Sequence, residues 1–230
     1  MLKRSPLTFG LGPDGTLMNR RTFQHLWSLG LALTLSLGGA SLHAQSAEGP
    51  DQLIKRLSTD VLDTIKTDKD VQSGDVRKIV TFVDTKVMPH VNFTRMTASA
   101  VGRNWRQATP EQQKRLQDEF KTMLVRTYSG ALSQVKDQTV SVKPLRAAAT
   151  DIEVIVRTEV VGRGEPIQLD YRMEKGQAGW RIYDLNVLGF WLVETYRAQF
   201  APEITANGID GLISALAERN KAGSAPAKKS

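Results

Sequence analysis

The chain has 230 residues, of which 40% are hydrophobic, and it carries 31 basic and 24 acidic residues for a net charge of +7. It contains no cysteine, which excludes disulfides, a thiolate nucleophile and cysteine metal ligands. The basic residues are scattered among acids rather than grouped in blocks, and this argues against a nucleic-acid-binding protein.

The N-terminal region has the features of a cleavable export signal. The pair Arg20-Arg21 precedes an apolar run at 26–37, which has the length of a signal-peptide core and is shorter than the ~20 residues that span a bilayer. Small residues follow, so we expect cleavage after Ala44, with Ala40 as the alternative site. The arginine pair also fits a twin-arginine signal, although the general secretory route is the preferred interpretation.

Removal of the signal changes the chemical inventory of the chain. Residues 1–44 hold four basic residues and one acid, so their loss lowers the net charge from +7 to +4, and His90 is then the one histidine left of three. We expect 1–44 to be an N-terminal extension plus signal peptide, with Met18 as an alternative start. Residues 45–220 are expected to form a single domain, and 221–230 a disordered basic tail.

The first half of the mature chain is predicted to be helical. Apolar residues at helical spacing predict helices over about 51–67 and 76–87, the second ended by a proline. Asn92 can cap a short third helix. The run Thr109-Pro110-Glu111-Gln112 is a capping box with proline in the first turn, and its helix is expected to reach about Gln134.

The apolar period then changes to two, which is typical of strands. Four alternating segments predict one antiparallel meander: 140–142, 152–157, 167–174 and 180–187. Helices return in the C-terminal region, where we expect one segment closed by Pro202 and a last helix over about 209–216. Helices, one antiparallel sheet of about four strands and further helices predict an α+β fold with helices packed on a twisted sheet.

Few residues of the mature chain are suited to catalysis or metal binding. A cysteine–histidine pair is excluded, and a zinc site or a serine triad would have to use His90. A histidine at a helix end more commonly contacts the last carbonyls. The sequence also lacks a glycine-rich nucleotide-binding motif. We therefore expect no enzyme, no metal and no cofactor, although an acid–base pair of carboxylates stays open.

Large apolar side chains are in excess on segments that are expected to face one another. Because periodicity does not separate a filled core from a lined pocket, both interpretations stay open at this point. These side chains are Phe120, Leu124 and Tyr128 on the long helix, Leu169, Tyr171, Met173, Tyr183 and Leu185 on the sheet, and Phe190, Trp191, Tyr196 and Phe200 in the C-terminal region.

Three stretches carry a more specific pattern. They read VNFTRMTASAVGRNWRQATPEQQ at 91–113, GWRIYDLNVLGFWLVETYRAQF at 179–200 and NGIDGLI at 207–213. In order and spacing they resemble the MlaC family, the periplasmic phospholipid carriers of the maintenance-of-lipid-asymmetry system, also known as toluene-tolerance proteins. The chain departs from some relatives at 189–191, where Gly-Phe-Trp stands in place of Gly-Val-Ser.

The resemblance implies a fold that encloses an apolar pocket for acyl chains. It implies a periplasmic carrier that moves phospholipid between an outer-membrane lipoprotein of MlaA type and an inner-membrane ABC transporter complex with an MlaD-type subunit. The implied pocket lining is the apolar set above together with Met96, Trp105 and Val187. Four arginines would face the lipid phosphate or dock a partner: Arg95, Arg103, Arg106 and Arg197.

The energetics of lipid transfer are consistent with a protein that has few candidate catalytic residues. Two acyl chains expose roughly 30 methylenes to water, at ~0.8 kcal/mol each, so unassisted transfer costs on the order of 20–25 kcal/mol. Two alternatives are a binding protein for other hydrophobic molecules, such as aromatic solvents, and a secreted α+β enzyme. The enzyme should show a carboxylate of strongly shifted pKa in a cleft. An adhesion or structural module is a weaker alternative.

Overall fold

The computed structural model of the protein describes residues 48–132, 135 and 137–222. The predicted signal peptide and most of the predicted tail lie outside the described residues. Within the described part of the chain, no helix is both long enough and apolar enough to cross a membrane.

The described residues form six α-helices and one five-stranded sheet, which confirms the predicted α+β fold. The helices are α1 (Pro50–Thr67), α2 (Lys69–Gln72), α3 (Val76–Phe82), α4 (Phe93–Val101), α5 (Pro110–Leu132) and α6 (Leu192–Ala222). The strands are β1 (Thr139–Val142), β2 (Glu153–Val161), β3 (Ile167–Gly176), β4 (Gly179–Val187) and β5 (Phe190–Trp191). A π-helical turn (Val83–Val87) and two 3₁₀ segments (Met88–His90 and Gly102–Gln107) connect the helices.

Side-chain caps fix where the helices begin, as the sequence predicted. The Asn92 side chain accepts a hydrogen bond from the Arg95 N–H at 3.0 Å, at the start of α4. At the start of α5 the Thr109 N–H donates to the Gln112 side chain at 2.9 Å, and the Gln112 N–H donates to the Thr109 hydroxyl at 3.2 Å. This reciprocal pair satisfies two of the backbone donors that a helix start leaves open.

Two predicted helical segments differ from the expectation in detail, and both involve proline. The helix expected over 76–87 is α-helical only to Phe82, because Pro89 lacks an N–H and its ring crowds the preceding turn, where α spacing is lost. Pro202 was expected to close a segment, but α6 continues through it and breaks at Gly208, which has a φ of 68°. Buried Phe200 and Ile204 hold α6 on both sides of the proline.

The sheet is a meander of neighbouring antiparallel strands in the order β1 to β5. Sequence alternation identified four of them and missed β5, which has only two residues. β5 forms because Leu188 and Gly189 have φ values of 53° and 91°, the two positive values of a type I′ hairpin turn. This turn pairs Phe190 with Val187.

One face of the sheet, here called the inner face, is covered by helices. Val156, Tyr171 and Leu185 lie opposite one another on neighbouring strands and so share this face. The other face, here called the outer face, carries Ile155 and Arg172, and the β2 side chains Glu153, Ile155 and Arg157 on this face are exposed. Helix α1 packs on one half of the inner face in a core of buried residues: Leu53, Ile54, Leu57, Val154, Val156, Met173 and Ile182.

A second core joins α4, α5 and α6 around Phe120. The Phe120 ring is fully buried and lies 5.0 Å from the Tyr196 ring and 5.2 Å from the Phe200 ring, both edge-on. The Phe93 ring of α4 is 5.6 Å away. These aromatic contacts stabilise the packing of the three helices, in addition to the stabilisation that comes from the apolar area they bury.

We predict that Leu188→Asn stabilises the protein by about 1 kcal/mol, or ~2–4 °C in Tm. Leucine is strained at positive φ, asparagine tolerates that conformation, and Leu188 is 61% exposed, so little packing is lost. Thermal unfolding measures the effect. The control is Ile152→Asn, which removes an equally exposed apolar side chain at ordinary φ. An equal gain in both variants would contradict the strain explanation.

Candidate functional site

The inner face of the sheet changes along its length from closed to half exposed. Under α1, Val156 and Met173 are 1% and 0% exposed. Towards the other end, three apolar side chains of the same face are only half-buried, although they belong to the same strands or to the neighbouring one: Leu169, Leu185 and Val187. This second half of the inner face is therefore apolar surface that α1 does not seal.

Helix α5 shows the same change along a single stripe. Leu116 and Phe120 are fully buried, whereas Leu124 and Tyr128, one and two turns further on the same face, are half-buried. Leu124 and Tyr128 pack against the same core as Leu185 and Val187. Half-buried apolar side chains from the helix and from the sheet thus border one core. We refer to the five side chains of Leu124, Tyr128, Leu169, Leu185 and Val187 as the apolar strip.

Tyrosines place polar atoms beside the apolar strip without adding charge. Burial raises the pKa of Tyr128 and of Tyr196, and an interaction between the two side chains contributes to the rise at Tyr128. Burial also raises the pKa of Tyr171, whose hydroxyl interacts with Ser58 and Thr158. All three are neutral at pH 7, which suits a site for uncharged apolar ligand groups.

The structure brings most of the predicted pocket residues together. Nine of them belong to or pack against the α4–α5–α6 core: Met96, Trp105, Phe120, Leu124, Tyr128, Leu185, Val187, Tyr196 and Phe200. Leu169 pairs with Val187, and Tyr171 and Met173 belong to the α1 core. That these side chains contact a lipid stays a prediction.

Three predicted residues lie elsewhere. The alternation of β4 predicts Tyr183 on the side of Leu185 and Val187, and this is wrong. Arg172 pairs with Asp184 and Met173 with Ile182, so Tyr183 is an extra, bulged residue of β4 and lies on the outer face. Phe190 is 71% exposed in β5. Trp191 lies under the Arg172 guanidinium, 3.9 Å from its ring centre.

Sequence reasoning missed two side chains at the end of the apolar strip. Val160 and Ile167 pair with one another on the inner face, and Ile167 lies two residues before Leu169 on β3. Val160 is half-buried and Ile167 is exposed. The alternation in β2 and β3 could have identified both, since each continues the inner-face row of its strand.

The four predicted arginines gather on the outer side of α4. Arg95, Arg103 and Arg106 line a surface depression of about 580 Å³ together with Trp105. The Arg197 Nε donates to the carbonyl of Ser99, which lines the same depression, at 2.8 Å. The opposite side of α4 is buried in the helical core, whereas Arg103 and Arg106 are exposed, so these guanidinium groups lie at the surface and not in that core.

Arg95 is held by acids from two strands. One Nη donates to Glu153 at 2.7 Å and the other to Glu174, and the guanidinium lies 3.6 Å from the centre of the Tyr183 ring. The Asn92 side chain also donates to Glu174, at 2.6 Å. Burial raises the pKa of Glu174, but these donors outweigh it, so the pKa lies below the ordinary value of 4.5.

Asp184 is the buried carboxylate that a catalytic interpretation would have to use. It is 1% exposed, and burial raises its pKa. Its oxygens accept hydrogen bonds from the Val193 N–H at 3.0 Å and from Arg172 at 3.0 Å. These bonds hold the start of α6 on the sheet, which is a structural role. Among the described residues no three histidines, aspartates or glutamates form a metal-binding group.

Comparisons with known proteins decide the family. The sequence profile of the MlaC protein family matches residues 55–218. The chain belongs to the MlaC family. Its core elements from α1 to α6 all fall within, or overlap, the matched range.

Relatives of this MlaC-family chain are named for phospholipid transport and for solvent tolerance. The toluene tolerance protein ttg2D of Pseudomonas putida is 24% identical over 179 residues, which cover 77% of this chain and 83% of the relative. The intermembrane phospholipid transport system binding protein MlaC of Haemophilus influenzae is 19% identical over 194 residues, covering 83% and 91%.

The protein of a solved structure is considerably more similar in sequence. The phospholipid-binding protein of Ralstonia solanacearum, determined in complex with a phospholipid, is 50% identical to this chain with a TM-score of 0.73. The match covers 75% of this chain and 97% of that one.

We predict that Glu174→Gln destabilises the fold by roughly 1–2 kcal/mol at pH 7, because Arg95 and Asn92 lose a charged acceptor. The Glu174 carboxyl group binds a proton more readily in the unfolded chain than in the folded protein. The stabilisation that ionised Glu174 gives the fold is therefore complete above pH 4.5 and is lost as pH falls through its lowered pKa. Urea unfolding of both proteins across this range measures it.

The control for this prediction is Glu153→Gln. Glu153 is the other carboxylate of Arg95, but its side chain is 51% exposed, so its loss should cost less at every pH. A difference between wild type and Glu174→Gln that persists unchanged in acid would contradict the electrostatic explanation.

Proposed function

We propose that this protein is a phospholipid carrier that holds acyl chains between the inner face of the sheet and helix α5. The observation that supports this best is the apolar strip, whose half-buried side chains come from α5 and from the sheet, four of them bordering the same core. The related protein of Ralstonia solanacearum, half identical in sequence, binds a phospholipid.

The proposed role needs no reactive group. A carrier replaces the apolar environment of the bilayer, and the gain comes from removing methylenes from water at ~0.8 kcal/mol each. The strip offers aromatic and branched side chains with neutral hydroxyls nearby, which suit chains of differing length and unsaturation. We propose binding rather than catalysis as the activity, since the shifted carboxylate Asp184 is engaged in holding α6.

The proposed setting is the periplasm, reached by cleavage of the N-terminal signal. There the protein would take phospholipid from one membrane and deliver it to the other. Its proposed partners are an MlaA-type lipoprotein of the outer membrane and the MlaD-type subunit of an inner-membrane ABC transporter complex. The name of the Haemophilus influenzae relative, an intermembrane phospholipid transport system binding protein, supports such a system.

We predict that the protein purified from a bacterial host carries phospholipid, and that Val187→Trp and Leu124→Trp each reduce its retention roughly tenfold. Each tryptophan fills space from one wall of the strip and displaces about two methylenes, worth ~1.6 kcal/mol. Organic extraction followed by mass spectrometry measures lipid per protein. A lipid-free wild type that also accepts no lipid from vesicles would overturn the proposed function.

The matched control is Ile155→Trp, which introduces the same side chain on the outer face of β2. Ile155 is 38% exposed and lies away from the strip, so this variant should keep its lipid. Equal lipid loss in all three variants would indicate a general disturbance of the sheet and would contradict the proposed location.

A further inference from the structure

A second surface depression lies beside the first, on the outer face of the sheet. It has a volume of about 360 Å³ and is lined from β2, β3, β4 and the preceding loop. The two depressions meet at one ion pair, because Arg95 lines the first while its partner Glu153 lines the second, with 2.7 Å between Nη2 and Oε1. Tyr183, under the Arg95 guanidinium, also lines the second depression. The depressions therefore form one continuous surface, here called the arginine surface.

The cations of the arginine surface are all arginines. Among the described residues, six arginines and two acids line it and no lysine does. Both acids are already engaged, since Glu153 pairs with Arg95 and the Asp151 carboxylate accepts a hydrogen bond from the Ala148 N–H at 2.8 Å. Within the described part of the chain, four of the arginines have no carboxylate within salt-bridge distance: Arg103, Arg106, Arg146 and Arg157. The surface thus presents positive charge that no carboxylate of the described residues pairs with.

The arginine surface lies on the side of the molecule away from the apolar strip. Arg103 and Arg106 are exposed beyond the outer side of α4, whose other side is buried in the helical core. Ile155, Arg157 and Arg172 project from the outer face of the sheet, while the strip lies on the inner face. A lipid whose chains occupy the strip would have to reach around α4 or through the sheet to bring its phosphate here. This placement disfavours a head-group site.

We propose that the arginine surface is a docking site for an acidic, carboxylate-rich surface of a protein partner. Arginine binds carboxylates with a planar two-pronged geometry that lysine lacks. Arginine, tyrosine and tryptophan are enriched where proteins bind one another and lysine is depleted, and Trp105, Tyr183 and half-exposed Ile155 complete this composition. A surface that met only anionic lipid would be served equally well by lysine.

This inference rests on the proposed function, because a carrier has to meet its donor and its acceptor. Docking on the outer side leaves the apolar strip free to exchange lipid while the partner is held. Paired positive and negative surfaces also raise the rate of encounter at low salt, which matters for a shuttle that binds and leaves repeatedly.

Charge reversal tests the arginine surface in both depressions. The double variants are Arg103→Glu with Arg106→Glu, and Arg146→Glu with Arg157→Glu. The control, Lys69→Glu with Arg77→Glu, changes the charge equally on α2 and α3, where neither residue lines a depression. Lipid-loaded full-length mature proteins are titrated against the soluble domain of the MlaD-type subunit and against the MlaA-type lipoprotein complex of the same bacterium, at low and high salt. A third arm uses phosphatidylglycerol vesicles.

The expected result is that wild-type affinity for at least one protein partner falls with salt and that at least one arginine variant loses about tenfold in affinity. The control should bind as wild type does, and all variants should keep their phospholipid. The proposal is overturned if both arginine variants bind both partners normally, if wild type binds neither, or if only vesicle binding falls. Phospholipid content is measured in the same samples, so a lipid-free wild type marks failure of the proposed function instead.

Discussion

Phe120 is the contact around which the helical layer is assembled. Its ring is fully buried and touches aromatic side chains from both α4 and α6, with centroid distances of 5.0–5.7 Å within the cluster. Edge-on and tilted aromatic pairs each add ~0.5–1.5 kcal/mol beyond the area that they bury. This cluster holds the first half of α5 against α4 and α6. The stability of the helix therefore does not require Leu124 and Tyr128, in its second half, to be fully buried. A stable core and an unsealed apolar surface therefore coexist on one helix.

The inner face of the sheet is also divided into a fully buried part and a half-buried part. Helix α1 is long enough to seal Val154, Val156 and Met173, and the strands continue beyond it. The buried part of the inner face stabilises the fold, and the remaining part, with Leu185 and Val187, is apolar surface available to a ligand. The α1 core and the proposed binding site therefore use different rows of the same strands. The outer face is left for contacts that need charge.

Much of the fold was predictable because its signals are local. The capping box at Thr109 and Gln112, the Asn92 cap and the alternation of β2 to β4 each depend on residues close in sequence, and the structure has all of them. The errors arose where local signals compete with packing. Pro202 removes one hydrogen bond from α6, but the buried side chains around it keep the helix continuous to Gly208. The bulge that turns Tyr183 outward has no clear signature in the alternation.

The sequence by itself determined the class of fold, the absence of cysteine chemistry and the family pattern, because each depends on residue identity and short-range spacing. It also named many of the apolar side chains that form or border the α4–α5–α6 core. Only the tertiary structure decided which of them are sealed, since Phe120 and Leu124 have the same periodicity and differ only in what packs against them. The tertiary structure likewise decided that six arginines from distant segments share one surface. Arg95 lies against Glu153 because of the strand register and the position of α4, and not because of spacing along the chain.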